Sequence, residues 1–422
     1  MRARGQGRAI IVGAGLAGLA AAADLSQGGR DVLVLDAAAK AGGRCRSYHD
    51  PQIDLVIDNG NHLVMSGNQA VARYLALIGG EEGLRGPEAA VFDFVDLRTD
   101  ERWQVRPNRS ALPWWILVPR RRPPGARPRD FLSALALLRA GPDRSVGALM
   151  PCEGPAWTRL LEPFLLAALN TAAETGSARL AGAVVRETLA RGGDAYRPRI
   201  AHPTLAAAFV DPALRALARL GGEIRTGRRV RALEIADGRI QSLVLAGETL
   251  KVSALDQVIL AVPPWTAAEL LPGLSTPTEH RAILNGHFRR PGPPGAPPLL
   301  GILGGLAEWV FAFEDRISVT VSAADQLMET DRLLLAERLW ADVQGALGLD
   351  EPLPPWQIVK EKRATFAATP AQNALRPPQL TALPNLILAG DWVQTGLPAT
   401  IEGALRSGFR AADLSRAAAR MV

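Results

Sequence analysis

Residues 8–36 read RAIIVGAGLAGLAAAADLSQGGRDVLVLD, and the rest of the chain is organised around them. Residues 9–12 are a short apolar run. Gly13, Gly15 and Gly18 follow at G-x-G-x-x-G spacing and lead into an alanine-rich segment that reads as helix. The stretch therefore parses as strand, tight turn, helix, second strand. Gly13 lets the chain turn, Gly15 lets backbone N–H groups approach a pyrophosphate, and Gly18 lets the helix lie close to the strand. The helix N-terminus then faces the anion. Asp36, at the end of the second strand, sits where an acid accepts hydrogen bonds from a ribose; a phosphate on that ribose would be repelled. The spacing alone is weak in a chain with 41 glycines. A strand before it, a helix after it and an acid at the right distance make a dinucleotide site the stronger reading over an ordinary βαβ turn.

A chain of 422 residues, 48% of them apolar, buries a large core and divides into two or three domains on length. The formal charge is +6, yet only four of 48 basic residues are lysine and no basic run exceeds Arg120-Arg121-Arg122. Nucleic-acid binding is not expected. Two cysteines, Cys45 and Cys152, and five scattered histidines offer no metal-ligand spacing, so no metal is expected. With no leader read before the first strand and no uninterrupted apolar span, the expectation is a cytoplasmic protein that does not cross a membrane.

Ala41-Gly42-Gly43-Arg44 forms a second glycine pair where a loop would pass the same pyrophosphate, and Arg44 or Arg46 either neutralises a phosphate or is solvated. Residues 54–59 read as a strand leading to Gly60-Asn61-His62; His62 either meets a substrate or cofactor edge or serves as a structural hydrogen-bonding group. A helix is expected over 68–78 and strands over 91–95 and 102–105. Residues 112–122, LPWWILVPRRR, read either as a membrane-surface contact through Trp114, Trp115 and the arginines, or as a buried aromatic pair beside a solvated basic turn. Helices are expected over 131–139, 157–168 and 178–189. Asp211-Pro212 reads as a helix start and Gly221-Gly222 as its end. Asp237-Gly238 marks a hairpin between 230–235 and 239–245, and 257–262 is a buried strand. Past a proline-rich loop at 291–298, residues 309–313 and 317–321 read as a hairpin in a second sheet, and 325–347 as a long helix.

The far end of the chain supplies a second site. An apolar strand over 385–389 runs into Gly390-Asp391, a carboxylate well placed to hold a polyol hydroxyl. A helix starting near Ala399, with Thr400 beside it, aims free N–H groups at whatever lies above. Over an isoalloxazine ring they would stabilise the negative charge of a reduced flavin, which makes the dinucleotide FAD.

With both ends read, the chain resembles the flavin-containing amine oxidase and carotenoid desaturase superfamily over nearly its full length. Within it, Asp58-Asn59-Gly60-Asn61-His62, Pro113-Trp114-Trp115 with Arg121-Arg122-Pro123, and Ala168-Leu169-Asn170-Thr171 are similar to the hydroxysqualene dehydroxylases. So are residues 361–366 and the Ala389-Gly390-Asp391-Trp392 and 398–404 stretches. The resemblance implies an α/β fold: a Rossmann-type FAD-binding domain (1–75, 200–265, 375–422) interleaved with a substrate domain of mixed sheet and helices (76–199, 266–374). It assigns FAD to Gly13, Gly15, Gly18, Asp36, Gly43, Arg44, Gly390, Asp391, Ala399 and Thr400, with Val230 touching adenine through its backbone. Asp36 stands where the superfamily usually has glutamate. The implied reaction takes hydroxysqualene to squalene with reduced FAD, hydride going to an allylic cation, and the pocket is long and apolar. His62 is the first candidate for the proton donor, followed by Glu402 and Asn170. The implied partners are an isoprenoid, an unidentified electron donor and, peripherally, the inner face of a membrane.

Three rivals share the fold. A carotenoid-type desaturase or saturase would use identical cofactor residues. An amine oxidase usually builds an aromatic cage, and the chain has three tyrosines. A non-enzymatic lipid escort would carry a degraded cofactor site, whereas both glycine motifs and Asp391 are intact here.

Overall fold

The computed structural model describes residues 7–419, so the outermost residues of the first and last expected FAD-binding ranges lie outside it. Four-residue runs with no polar position make the central strands. Ala9–Val12, Val32–Leu35 and Gln257–Leu260 are buried at every position, the pattern of a parallel sheet covered on both faces. The five-stranded parallel sheet runs Glu223–Arg225, Val32–Leu35, Ala9–Val12, Gln257–Leu260, Leu386–Leu388. Strands from both ends of the chain thus lie in one sheet, and every glycine motif falls at its carboxyl edge. On one face the first helix, Leu16–Gln27, packs against the last, Ile401–Ala419. Gly408 makes that approach possible, since a Cβ there would lie 2.2 Å from the Ala17 carbonyl oxygen. On the other face lie the expected hairpin, Val230–Ala236 with Arg239–Leu245, and part of the helical block.

A second sheet has seven strands, in the order Trp356–Phe366, His280–Phe288, Ile317–Val321, Trp309–Ala312, Leu299–Leu303, Phe92–Asp96, Glu101–Val105. Its neighbours are antiparallel except for the parallel pair 92–96 and 299–303. Period-two alternation separates its faces. Val310, Val319 and Leu284 pack under the helix Arg332–Leu347, while Trp309, Phe311, Phe94 and Trp103 form an aromatic cluster on the far face. The expected α/β architecture with a second, mixed layer is the one the chain adopts.

Three expectations need correction. Asp211-Pro212 lies inside a helical run that begins earlier: a π-helical turn, Ala206–Val210, leads directly into the helix Asp211–Arg219. Proline has no N–H to give to the carbonyl four residues back, and the widened turn absorbs the missing bond; Tyr74 Oη donates to the Phe209 carbonyl at 2.9 Å. The same device, Trp157–Leu161 ahead of Pro163, opens the helix Glu162–Leu169. The long helix starts at Arg332, capped by Asp331, whose carboxylate accepts from the Leu333 and Leu334 N–H groups. Residues 131–139 belong to a twelve-residue 3-10 run, Pro128–Arg139.

Candidate functional site

The first glycine turn is built as the spacing requires. Gly13 has φ +110°, and a Cβ there would meet the Ala261 carbonyl oxygen at 2.3 Å; one on Gly18 would meet the Gly13 oxygen at 1.9 Å. Gly15 differs. Its φ is −74°, open to any residue, and nothing of the protein lies within 4 Å of the Cβ it lacks. The fold needs glycine at 13 and 18, and only a ligand lying against the turn needs it at 15. The second glycine pair is laid on the first: Gly42 N–H donates to the Ala14 carbonyl at 2.8 Å, and Gly43 faces Gly15 Cα.

Asp36 turns back onto this loop. Its Oδ2 accepts from Ala14 N–H at 2.6 Å and Oδ1 from Ala38 N–H at 2.7 Å. One side-chain carbon shorter than glutamate, it braces the turn, and each oxygen keeps a lone pair for a ribose hydroxyl. Arg228 N–H donates to the Asp36 carbonyl, which brings the start of the next strand, at buried Val230, beside that acid.

Arg44 joins the two ends of the chain. Its guanidinium donates to Asp391 Oδ1 at 2.7 Å and to the Ala364 carbonyl at 2.6 Å. Asp391 is 5% exposed, and among the described residues its Oδ2 has no protein partner, which leaves it for a hydroxyl. Gly390, at φ +145°, places Asp391, and its N–H is held by Ser407 Oγ. The last helix begins at Ile401, two residues beyond Ala399. Thr400 is its N-cap, Oγ1 accepting from Gly403 N–H at 3.1 Å. The remaining first-turn N–H groups face outward from that end. These residues fit an FAD: a glycine that only a ligand explains, a free carboxylate oxygen, and a helix N-terminus of the right polarity for a reduced flavin.

A buried arginine, Arg376, holds the loop between Asp391 and that helix. It donates to the carbonyls of Asp391 (3.0 Å), Leu397 (2.8 Å) and Val393, and to Thr395 Oγ1 (2.7 Å). Burial pulls its pKa down to about 10 against the opposing pull of Asp391, so it carries its charge at neutral pH. No motif in the sequence singles this residue out.

The three acid–base candidates have different surroundings. His62 Nδ1 lies 2.9 Å from the Gly60 carbonyl, and because that oxygen only accepts, Nδ1 carries the hydrogen and Nε2 the lone pair. Burial pushes its pKa below the ordinary value, opposed by the Gly60 bond and reinforced by the Arg44 charge. Asn170, at φ +47°, ends the helix Glu162–Leu169; its Oδ1 accepts from Ala323 N–H and its Nδ2 donates to Thr365 Oγ1. Glu402 spans the start of the helix Gln69–Ile78, its two oxygens accepting from Ala70 and Val71 N–H at 3.0 Å each, and it pairs with Arg406. The structure therefore brings His62 toward the Arg44–Asp391 anchor and ties Asn170 and Glu402 into backbone.

Beyond His62 the chain enters the aromatic cluster. Leu63 and Met65 pack on it, and Asn61 Nδ2 donates to Thr320 Oγ1, opposite Trp309 in the sheet. Phe92, Phe94, Trp115, Leu160, Tyr196 and Trp309 are among the residues that line an apolar cavity there. It encloses about 20 Å³, room for one water, so a long ligand requires its walls to part. Among the described residues no cluster of histidine, cysteine or acidic groups suits a metal, and burial pushes the Cys45 thiol up to about 12, out of the reactive range.

Comparison with known proteins agrees with this geometry. Residues 16–414 match the family described as flavin containing amine oxidoreductase. A protein of Rhodopseudomonas palustris named hydroxysqualene dehydroxylase is 52% identical over 97% of this chain and 98% of its own. One of the same name from Zymomonas mobilis is 45% identical over 96% and 98%. A putrescine oxidase variant shares the fold, with TM-score 0.71 at 17% identity over 98% of this chain and 99% of its own.

Proposed function

The chain belongs to the flavin containing amine oxidoreductase family and is an FAD-dependent oxidoreductase, and we propose that it removes the hydroxyl of hydroxysqualene to give squalene. The observation that carries this is identity of 45–52% along nearly the whole chain to relatives bearing that name. The aromatic cluster offers apolar, aromatic walls of the kind such a substrate calls for, once they part to admit it. In the reaction the allylic C–O bond breaks, a C–H bond forms, and the hydroxyl leaves as water after taking up one proton. Bound reduced FAD supplies the hydride. We assign the cofactor to the residues of the two glycine motifs, Asp36, Val230, Asp391, Ala399 and Thr400, and the two-part division of the chain follows the same assignment.

His62 is the group we assign to the proton. Its fixed Nδ1–H leaves Nε2 to hold or release a proton, and only its imidazolium form donates. Asn170 and Glu402 hold backbone in place. The apolar substrate lies in a bilayer, so the enzyme acts at a membrane surface on the hopanoid branch of squalene metabolism. The test is anaerobic incubation of the FAD-reduced protein with hydroxysqualene in detergent, followed by mass spectrometry. Squalene formed together with flavin reoxidation is expected; no product from a yellow, FAD-loaded protein would discard this substrate and bring a carotenoid-type polyene forward.

A further inference from the structure

Of the eleven large apolar side chains exposed among the described residues, five lie within the 24 positions 112–135. Leu112 is 75% exposed, Leu117 64%, Leu132 59%, Leu135 58% and Trp114 43%. The segments that carry them pack together. Buried Trp115 packs edge-on against Phe131, ring centroids 5.4 Å apart, and so joins the 114–117 turn to the 3-10 run that carries Leu132 and Leu135. At three residues per turn those two leucines stand one above the other on the same face. The two tryptophans, expected either both at a membrane surface or both buried, are divided between these: Trp114 turns outward, under the Arg121 guanidinium, and Trp115 inward to wall the cavity. Residues 112–140 also carry six arginines against one acid, Asp130, with Arg120, Arg127, Arg129 and Arg139 exposed. Apolar side chains this exposed on two packed segments, amid a surplus of positive charge, are costly to leave in water.

We propose that residues 112–135 form a docking face for an anionic bilayer, seating Leu112, Trp114, Leu117, Leu132 and Leu135 among acyl chains with the arginines at the headgroups. Because Trp115 is at once the underside of this face and a wall of the cavity, a lipid-dissolved substrate passes from bilayer to cavity without crossing water. This deepens the proposed function and rests on it for the identity of the passenger, but the lipid contact is measured without turnover.

The experiment is co-sedimentation of the FAD-loaded protein with phosphatidylcholine vesicles, with and without phosphatidylglycerol. Wild type is expected to pellet with the anionic vesicles. L117S/L132S/L135S weakens that by about tenfold or more, while flavin absorbance and turnover of detergent-dispersed substrate stay as in wild type. R120E/R127E/R129E, which leaves the apolar residues in place, removes the preference for phosphatidylglycerol. Wild-type sedimentation by both variants would overturn the proposal. So would a change in oligomeric state of the leucine variant on size exclusion with vesicle binding intact, since the face would then belong to a second copy. Vesicle binding as expected with no squalene formed would retain the docking face and reject the substrate.

Discussion

At the scale of single residues, Gly13 and Gly15 of the first turn separate what the fold requires from what a ligand requires. Gly13→Ala drives a methyl onto the Ala261 carbonyl at a φ of +110°, and we expect a loss of about 2–4 kcal/mol in unfolding measurements on the apoprotein. Gly15→Ala meets nothing in the protein. Its apoprotein should melt with wild type while FAD affinity, read by fluorescence titration, falls about tenfold or more, some 1.4 kcal/mol; equal FAD affinity would remove the pyrophosphate from this turn. His62 gives a second test. A donor must be protonated, and burial holds this imidazole below its ordinary value. The protonated fraction, and kcat/KM with it, therefore falls as pH rises through that lowered value, and His62→Gln should abolish that limb with flavin content unchanged. A profile identical to wild type would take His62 out of the reaction. Such residues were legible because backbone geometry or chemistry restricts their type. Arg376 was not, because one buried arginine among 44 (48 basic residues less four lysines) has no local signature; only the carbonyls it gathers from residues 391–397 reveal it.

At the scale of elements, apolar runs and turn residues located four of the five parallel strands, the 237–238 hairpin and the second-sheet hairpin, since each is specified by neighbours within about ten positions; the edge strand Glu223–Arg225, short and polar, carries no such run. Helix starts were harder to read. Asp211-Pro212 has the composition of an N-terminus, yet a π turn carries the helix through it; proline forbids one hydrogen bond, and tertiary packing decided whether the helix stopped or widened. Glu402 shows the same limit. Its position at the head of the last helix suggested chemistry, but the contact that defines it, with Ala70 and Val71, is 332 and 331 residues away. Glu402→Gln replaces one accepting oxygen with a donor facing an N–H. We expect it to cost about 1–3 kcal/mol of stability in denaturant melts while the rate of the chemical step per bound FAD stays unchanged. A large fall in that rate at wild-type stability would return Glu402 to the list of acid catalysts.

At the scale of the whole molecule, the site exists only when both ends are folded, since Arg44 and Asp391, 347 residues apart, share one bond. The second sheet is anchored as closely: Arg316, 1% exposed and next to the strand Ile317–Val321, reaches Asp58 Oδ2, at the end of the strand Leu55–Asp58, at 3.7 Å and the Pro203 carbonyl at 3.2 Å. None of this was legible locally, and neither was the cavity, whose walls are drawn from residues 92–309. Burying titratable groups in such a structure makes stability depend on pH in ways that can be separated. Burial holds His287 down to about 3, helped by the Arg316 charge. The stability it contributes is present above its unfolded value near 6.5 and is lost as pH falls toward 3. Burial pushes Glu308 up to about 7, against the hydrogen bonds from Ser322. A carboxyl raised in the folded state favours folding while protonated, so its contribution is whole below its unfolded value near 4.5 and is lost as pH rises to about 7. That loss amounts to about 3 kcal/mol at 1.36 kcal/mol per unit. Glu308→Gln keeps an acceptor for Ser322 and never ionises. It should match wild type in stability at pH 4 and exceed it at pH 8 by up to about 3 kcal/mol, measured by chemical unfolding of the FAD-loaded protein at the two pH values. A gap of the same size at both would mean that packing, not ionisation, sets the difference.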